Sequence, residues 1–138
     1  MGEPTSEYYI NNPEDPSKYE KLVDTLMEEE HPARLILDRF DTLPRWIGEE
    51  EAFRLLKRLM GYIESCGGVG LYIVTEGLLS SRMEMLVRDR ADLTLHTVRE
   101  KDEKHVEITN FRSRLSPYRK WKIGTEGEKI NLSELHMV

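Results

Sequence analysis

The run Arg34-Leu35-Ile36-Leu37-Asp38-Arg39-Phe40-Asp41 constrains the fold more than any other stretch of this chain. Three consecutive large aliphatics leave no polar face. A strand built on Leu35, Ile36 and Leu37 is therefore expected to be covered on both sides, as in the parallel sheet of an α/β protein. Asp38 then falls at the carboxyl end of the strand, where open α/β sheets place ligands. The plainer alternative is that Asp38 serves the turn that follows, a position that aspartate favours.

The segments around this run repeat the same alternation of strand and helix. Tyr8-Tyr9-Ile10 is a short β-rich stretch, closed by Asn11-Asn12-Pro13 and the turn-prone Glu14-Asp15-Pro16. Ser17 with Glu20 three residues later reads as a capping box. It opens a helix in which Tyr19, Leu22, Val23, Leu26 and Met27 share a face and which His31-Pro32 ends. After the central strand, Thr42 to Gly48 reads as an irregular loop. A second helix is expected from about Glu49 to Ser65, acidic at its start and basic later, with Ala52, Phe53, Leu55, Leu56, Leu59, Met60 and Ile63 on one broad stripe. Gly67-Gly68 permits the turn into a second apolar strand, Val69 to Thr75, and a parallel crossover is the natural connection.

Beyond Glu76-Gly77 a third helix spans Leu79 to Arg90, with Ser80 or Ser81 as its cap and Met83, Leu86 and Val87 on one side. The pattern then switches to period two. Leu93 to Arg99 and His105 to Phe111 alternate around a charged connection, which predicts a β-hairpin. Trp121-Lys122-Ile123 and Lys129 to Leu132 form a second possible hairpin around Gly124 to Gly127. One domain over residues 1–138 is expected, with residues 1–7 as a frayed lead and 133–138 as a tail.

The single Cys66 excludes an intramolecular disulfide framework. No apolar run approaches the length of a membrane span, so a cytoplasmic protein without a membrane partner is expected. Charged residues make up 33% of the chain with little Gln, a balance that suits the ion-paired surface of a thermophile. Within the net charge of −6 the distribution is uneven. Residues 1–30 hold nine acids against two lysines, whereas Asn110 to Ile123 holds Arg112, Arg114, Arg119, Lys120 and Lys122 and no acid.

In its order of elements the chain resembles the later part of the RecA-like ATPase core, and most of all the KaiC-like branch that includes archaeal RecA-superfamily paralogues. Leu35-Ile36-Leu37-Asp38 matches the Walker B strand, Leu71-Tyr72-Ile73-Val74-Thr75-Glu76 the next core strand, and Ala91-Asp92-Leu93-Thr94-Leu95 the family's "Ala-Asp then strand". Val106 to Ser113 stands where that branch has an apolar strand running into Lys-x-Arg-Gly. The resemblance covers roughly residues 8–132. It implies a mainly parallel RecA-like sheet flanked by helices, with an antiparallel C-terminal hairpin.

The departures from the family pattern shape the functional expectation. No Gly-x-x-x-x-Gly-Lys-Ser/Thr occurs, so the loop and lysine that cradle phosphates are missing together with their strand. Asn11-Asn12 stands where active relatives often place a catalytic carboxylate pair, and an amide cannot act as a general base. Without the central P-loop strand, three arrangements remain open. The two apolar strands pair directly in a rearranged sheet, with a symmetric dimer as the preferred form; another chain fills the gap; or the chain belongs to a longer ATPase.

The resemblance implies a nucleotide edge at Asp38, Thr75 and Glu76, with Asp38 holding Mg²⁺ through water, and Arg112 as a candidate arginine finger acting in trans. By itself the chain is expected to bind no cofactor and not to act as an ATPase, ATP and Mg²⁺ entering only with a P-loop supplied by another segment or chain. Asp41 reads as a loop residue, Cys66 as a helix-end packing residue, and the four histidines lack zinc-ligand spacing. Arg112, Arg114, Tyr118, Arg119, Lys120 and Trp121 combine cations with aromatics, as single-stranded nucleic-acid sites do. The competing reading has those cations facing the protein's own acidic front, in the same chain or in a partner. The function expected is a non-catalytic module that forms a dimer or docks on a complete RecA-like partner. A part or subunit of such an ATPase, and nucleic-acid binding through residues 112–122, are the alternatives.

Overall fold

The computed structural model describes residues 10–28, 34–111 and 119–134. The chain divides into two compact units, Met1–Glu84 and Met85–Val138. The expected strand at Tyr8-Tyr9 lies outside the described residues.

In the first unit, helix α1 (Pro16–Met27) and helix α3 (Glu49–Ser65) carry strands β1 (Arg34–Asp38) and β2 (Val69–Ile73). The cap of α1 is Asp15 rather than Ser17. Its side chain accepts the Ser17 N–H at 3.0 Å, and Pro16 takes the first helical position, where its missing N–H costs nothing. Glu20, freed from the expected capping box, pairs instead with Arg54 at 2.7 Å and with Arg58, which also reaches Asp24. Between the helices Val23, Leu55 and Leu59 form a buried cluster against which Tyr19, Met27, Leu35 and Ile47 pack. Of the stripe predicted for α3, Ala52, Leu55, Leu56, Leu59 and Ile63 are buried, while Phe53 and Met60 are half-buried at its margins.

The segment read as an irregular loop is ordered into two short elements. A 3-10 turn, Phe40–Thr42, leads into the four-residue helix α2 (Pro44–Ile47). Pro44 sits in the first turn of α2, and Gly48, at φ 84°, takes the left-handed conformation that separates α2 from α3. Gly67 (φ 66°) makes the expected turn into β2.

Strands β1 and β2 pair directly and in parallel, Arg34 opposite Val69 and Asp38 opposite Ile73. No further strand joins this pair among the described residues. One face is covered: Leu35, which packs on the helical cluster, with Leu37 and Tyr72, whose ring occupies the space that a side chain at Gly70 would need. The other face is open, against the expectation of cover on both sides. Ile36 is 68% exposed, and Val69 (71%) and Leu71 (51%) lie beside it. Cover on the second face depends on a further layer, which the pattern of one strand cannot reveal.

Helix α4 (Ser81–Arg90) is capped by Ser80, whose hydroxyl accepts the Met83 N–H at 3.2 Å. It leads to four antiparallel strands in sequence order, β3 (Leu93–Glu100), β4 (Glu103–Phe111), β5 (Lys120–Glu126) and β6 (Lys129–Glu134). Both hairpins form where expected. The first is tighter than its charged connection suggested, because Glu100 and Glu103 already pair and Lys101 supplies a left-handed residue at φ 56°. Ion pairs lace one face of this sheet: His96 with Glu107, Lys120 with Glu100, Lys122 with Glu103. The opposite face carries Leu95, Val106, Ile108, Trp121, Ile123 and Leu132, and its edges are open, Leu132 at 59% and Ile130 at 72%. The architecture is mixed α/β, with a two-stranded parallel pair and a four-stranded antiparallel sheet.

Candidate functional site at the carboxyl ends of the parallel pair

The residues expected to gather at the sheet edge fall on two loops. Asp38 closes β1 and is exposed, and the peptide that joins it to Arg39 is cis. Thr75 and Glu76 follow β2 and are exposed as well. Between the two loops stands a residue that the sequence did not single out. Asp41, read as a loop residue, is buried in the 3-10 turn with its side chain fully enclosed. Its Oδ2 accepts the backbone N–H of Thr75 at 2.6 Å, and its Oδ1 lies 3.7 Å from Arg39 Nε. No described group hydrogen-bonds to Oδ1.

The loop from Thr75 to Ser80 is held by carboxylates along its length. Glu49, the first residue of α3, accepts both the Ser80 N–H (2.8 Å) and the Ser80 hydroxyl (2.7 Å). Glu84 on α4 accepts the Gly77 N–H at 2.7 Å. With Asp41 on Thr75, three acids from three elements take three N–H groups of one loop. Only the Thr75 bond is partly buried, where an N–H must find an acceptor; the bonds at Gly77 and Ser80 are exposed, and in all three the acceptor is a carboxylate.

This arrangement bears on whether ATP and Mg²⁺ fit. A phosphate site needs free N–H groups and cations, whereas these N–H groups already bind carboxylates. Among the described residues no group of three His, Cys, Asp or Glu side chains is placed to hold a metal ion. Asp38 is a lone exposed carboxylate without a side-chain ion pair among the described residues. The loop N–H groups that carboxylates engage are not free to bind phosphate.

The basic segment is only partly described. Arg112, Arg114 and Tyr118 lie outside the described residues, so the candidate arginine finger has no placement here. Arg119 is exposed. Lys120 and Lys122 pair with acids of their own sheet, Glu100 at 3.4 Å and Glu103 at 2.6 Å. The acidic front is met in part by Arg54 and Arg58 of α3. Trp121 and Lys120 are strand neighbours and point to opposite faces, Trp121 with Val106 and Lys120 with Glu107.

No protein-family model matches the chain. A comparison with curated proteins finds no match either.

Glu49 gives the site a measurable pH signature. Hydrogen bonds from the Ser80 hydroxyl and backbone N–H hold its carboxyl below the ordinary glutamate value. The unfolded chain takes up this proton near about 4.3, and the folded chain takes it up only at lower pH. The bonds therefore stabilise the fold above that value, and the contribution fades as pH falls through the lowered folded value. The urea midpoint should drop between pH 6 and pH 3.5, and Glu49→Gln should make that drop shallower. An unchanged slope in the variant would show that Glu49 does not hold Ser80.

Proposed function

We propose that this chain is a non-catalytic RecA/KaiC-like interaction or regulatory module, which self-associates or docks on a complete RecA-like partner. The observation that supports it most is the open apolar face of the β1–β2 pair, where Ile36, Val69 and Leu71 stand together and exposed. Contiguous exposed aliphatics of this kind mark interaction surfaces in folded proteins. The open apolar face of the β3–β6 sheet adds to the reading.

The N–H groups of Thr75, Gly77 and Ser80 are engaged by acids and form no phosphate cradle of their own, which supports a role without hydrolysis. The RecA-like part of the proposal rests on the order of Leu35–Asp38, Leu71–Glu76 and Ala91–Leu95, which is an analogy of fold. Light scattering on the purified chain at micromolar concentration tests self-association. We expect twice the 16.2 kDa chain mass. A single-chain mass across the whole concentration range would remove the self-associating form and leave only docking on a partner.

A further inference from the structure

Strand β1 reads Arg34-Leu35-Ile36-Leu37-Asp38, and one of its edges is taken by β2. The other edge has no strand on it among the described residues. An unpaired edge presents a row of N–H and C=O groups that can accept another strand. Natural proteins blunt such edges with charge or proline, and here the charges sit only at the two ends. Arg34, Ile36 and Asp38 share the open face and are all exposed. Neither Arg34 nor Asp38 has an ion-pair partner among the described residues.

The strand is complementary to itself. Laid antiparallel on a second copy and centred on Ile36, it sets Arg34 opposite Asp38, Leu35 opposite Leu37, and Ile36 opposite Ile36. Opposite charges placed directly across an antiparallel pair attract, and like charges there repel. Moving the register by one residue sets Ile36 of the open face against a leucine of the covered face, so the second copy would present the wrong side. Moving it by two sets one charge of each copy against Ile36 and carries the other past the end of the partner strand. The edge of β2, Val69-Gly70-Leu71-Tyr72-Ile73, has no charges to set a register.

We propose that the free edge of β1 binds β1 of a second copy, antiparallel about a two-fold axis at Ile36, with two reciprocal Arg34–Asp38 pairs. This rests on the reading that the chain self-associates, and it names the surface. The two-stranded pair becomes a four-stranded sheet in the order β2-β1-β1-β2, the size at which a sheet gains stability of its own. Because the contact is isologous, it uses both β1 edges and closes as a dimer.

Charge exchange in the full chain tests it. Arg34→Asp alone sets Asp against Asp at both ends, and Asp38→Arg alone sets Arg against Arg. Each should weaken the dimer roughly tenfold or more, read as the concentration dependence of mass by light scattering. Both changes in one chain should restore the dimer, and mixing the two single variants should give a heterodimer with both pairs satisfied. Ile36→Cys in a Cys66→Ser background should form a disulfide-linked dimer under mild oxidation, because facing residues in such a pair lie within bridging distance. Circular dichroism reports whether each variant keeps its helices.

If the unaltered chain is a dimer and the single variants dimerise equally well, the edge proposal is overturned while self-association stands. If the unaltered chain is a monomer throughout, the self-association reading itself fails.

Discussion

Phe40→Ala is expected to destabilise the first unit by about 3–5 kcal/mol, the usual cost of emptying a fully enclosed phenylalanine site. Phe40 has no exposed surface, and it lies in the tight turn that leaves β1 and enters α2. A small domain has roughly 5–15 kcal/mol of stability to lose, so the variant should unfold at a much lower urea concentration. The helical dichroism signal is the right probe, because α1, α2 and α3 all belong to this unit. Phe40→Leu, which keeps most of the volume, should lose less. If Phe40→Ala unfolds within about 1 kcal/mol of the unaltered chain, the turn is not a core element.

Most of the elements were legible because each rests on local chemistry. The stripe on α3 has a period of 3.6 over seventeen residues and is bounded by three acids and two glycines, so both its limits and its buried face follow from the sequence. The hairpins followed from strict alternation, and the parallel pair from two short apolar runs separated by a helix. What failed depended on tertiary competition. Asp15 and Ser17 can both cap α1. Pro16 decides for Asp15, because proline belongs just inside the helix, and Glu20 is then drawn to Arg54 and Arg58 of α3. Thr42 to Gly48 looked irregular because a four-residue helix is too short to show a period. The run Leu35-Ile36-Leu37 cannot report how many of its faces are covered, since that depends on layers it does not encode.

The candidate site was legible only in outline. Asp38, Thr75 and Glu76 were expected at the carboxyl ends of the two strands, and the strand limits carry them there. The carboxylates that hold the loop are others. Asp41, Glu49 and Glu84 reach it from three separate elements, and nothing local distinguishes them from solvated acids. A weak signal existed for Asp41, the acid next to Phe40, an aromatic certain to seek the core. For Lys120 and Lys122 the strand alternation was the usable signal, because it sends both to one face and Trp121 to the other. A basic stretch counted along the chain divides in two once it is a strand.

Asp41→Ala should cost about 2–3 kcal/mol, since it removes a charged acceptor from the Thr75 N–H and leaves Arg39 without its carboxylate. An opposing effect exists: an enclosed carboxylate gives up its hydration, and replacing buried charges by apolar groups sometimes stabilises a protein. Two features decide the sign here. The bond to Thr75 is short at 2.6 Å, and the acid ties the loop after β1 to the loop after β2, so its loss frees two segments rather than one. Asp41→Asn separates the contributions. It keeps an oxygen for the Thr75 N–H but turns an N–H₂ group toward Arg39, so it should fall between the unaltered chain and Asp41→Ala. Amide exchange at Thr75 is the sharpest measurement. It should accelerate strongly in Asp41→Ala and modestly in Asp41→Asn, while the amides inside α3 keep their protection relative to the global unfolding of each variant. Equal acceleration in both variants would mean that the charge holds the loop and the hydrogen-bond geometry contributes little. Unchanged exchange in Asp41→Ala would mean that the two strand ends are held by the sheet itself, and that the acids around Thr75 to Ser80 only cover it.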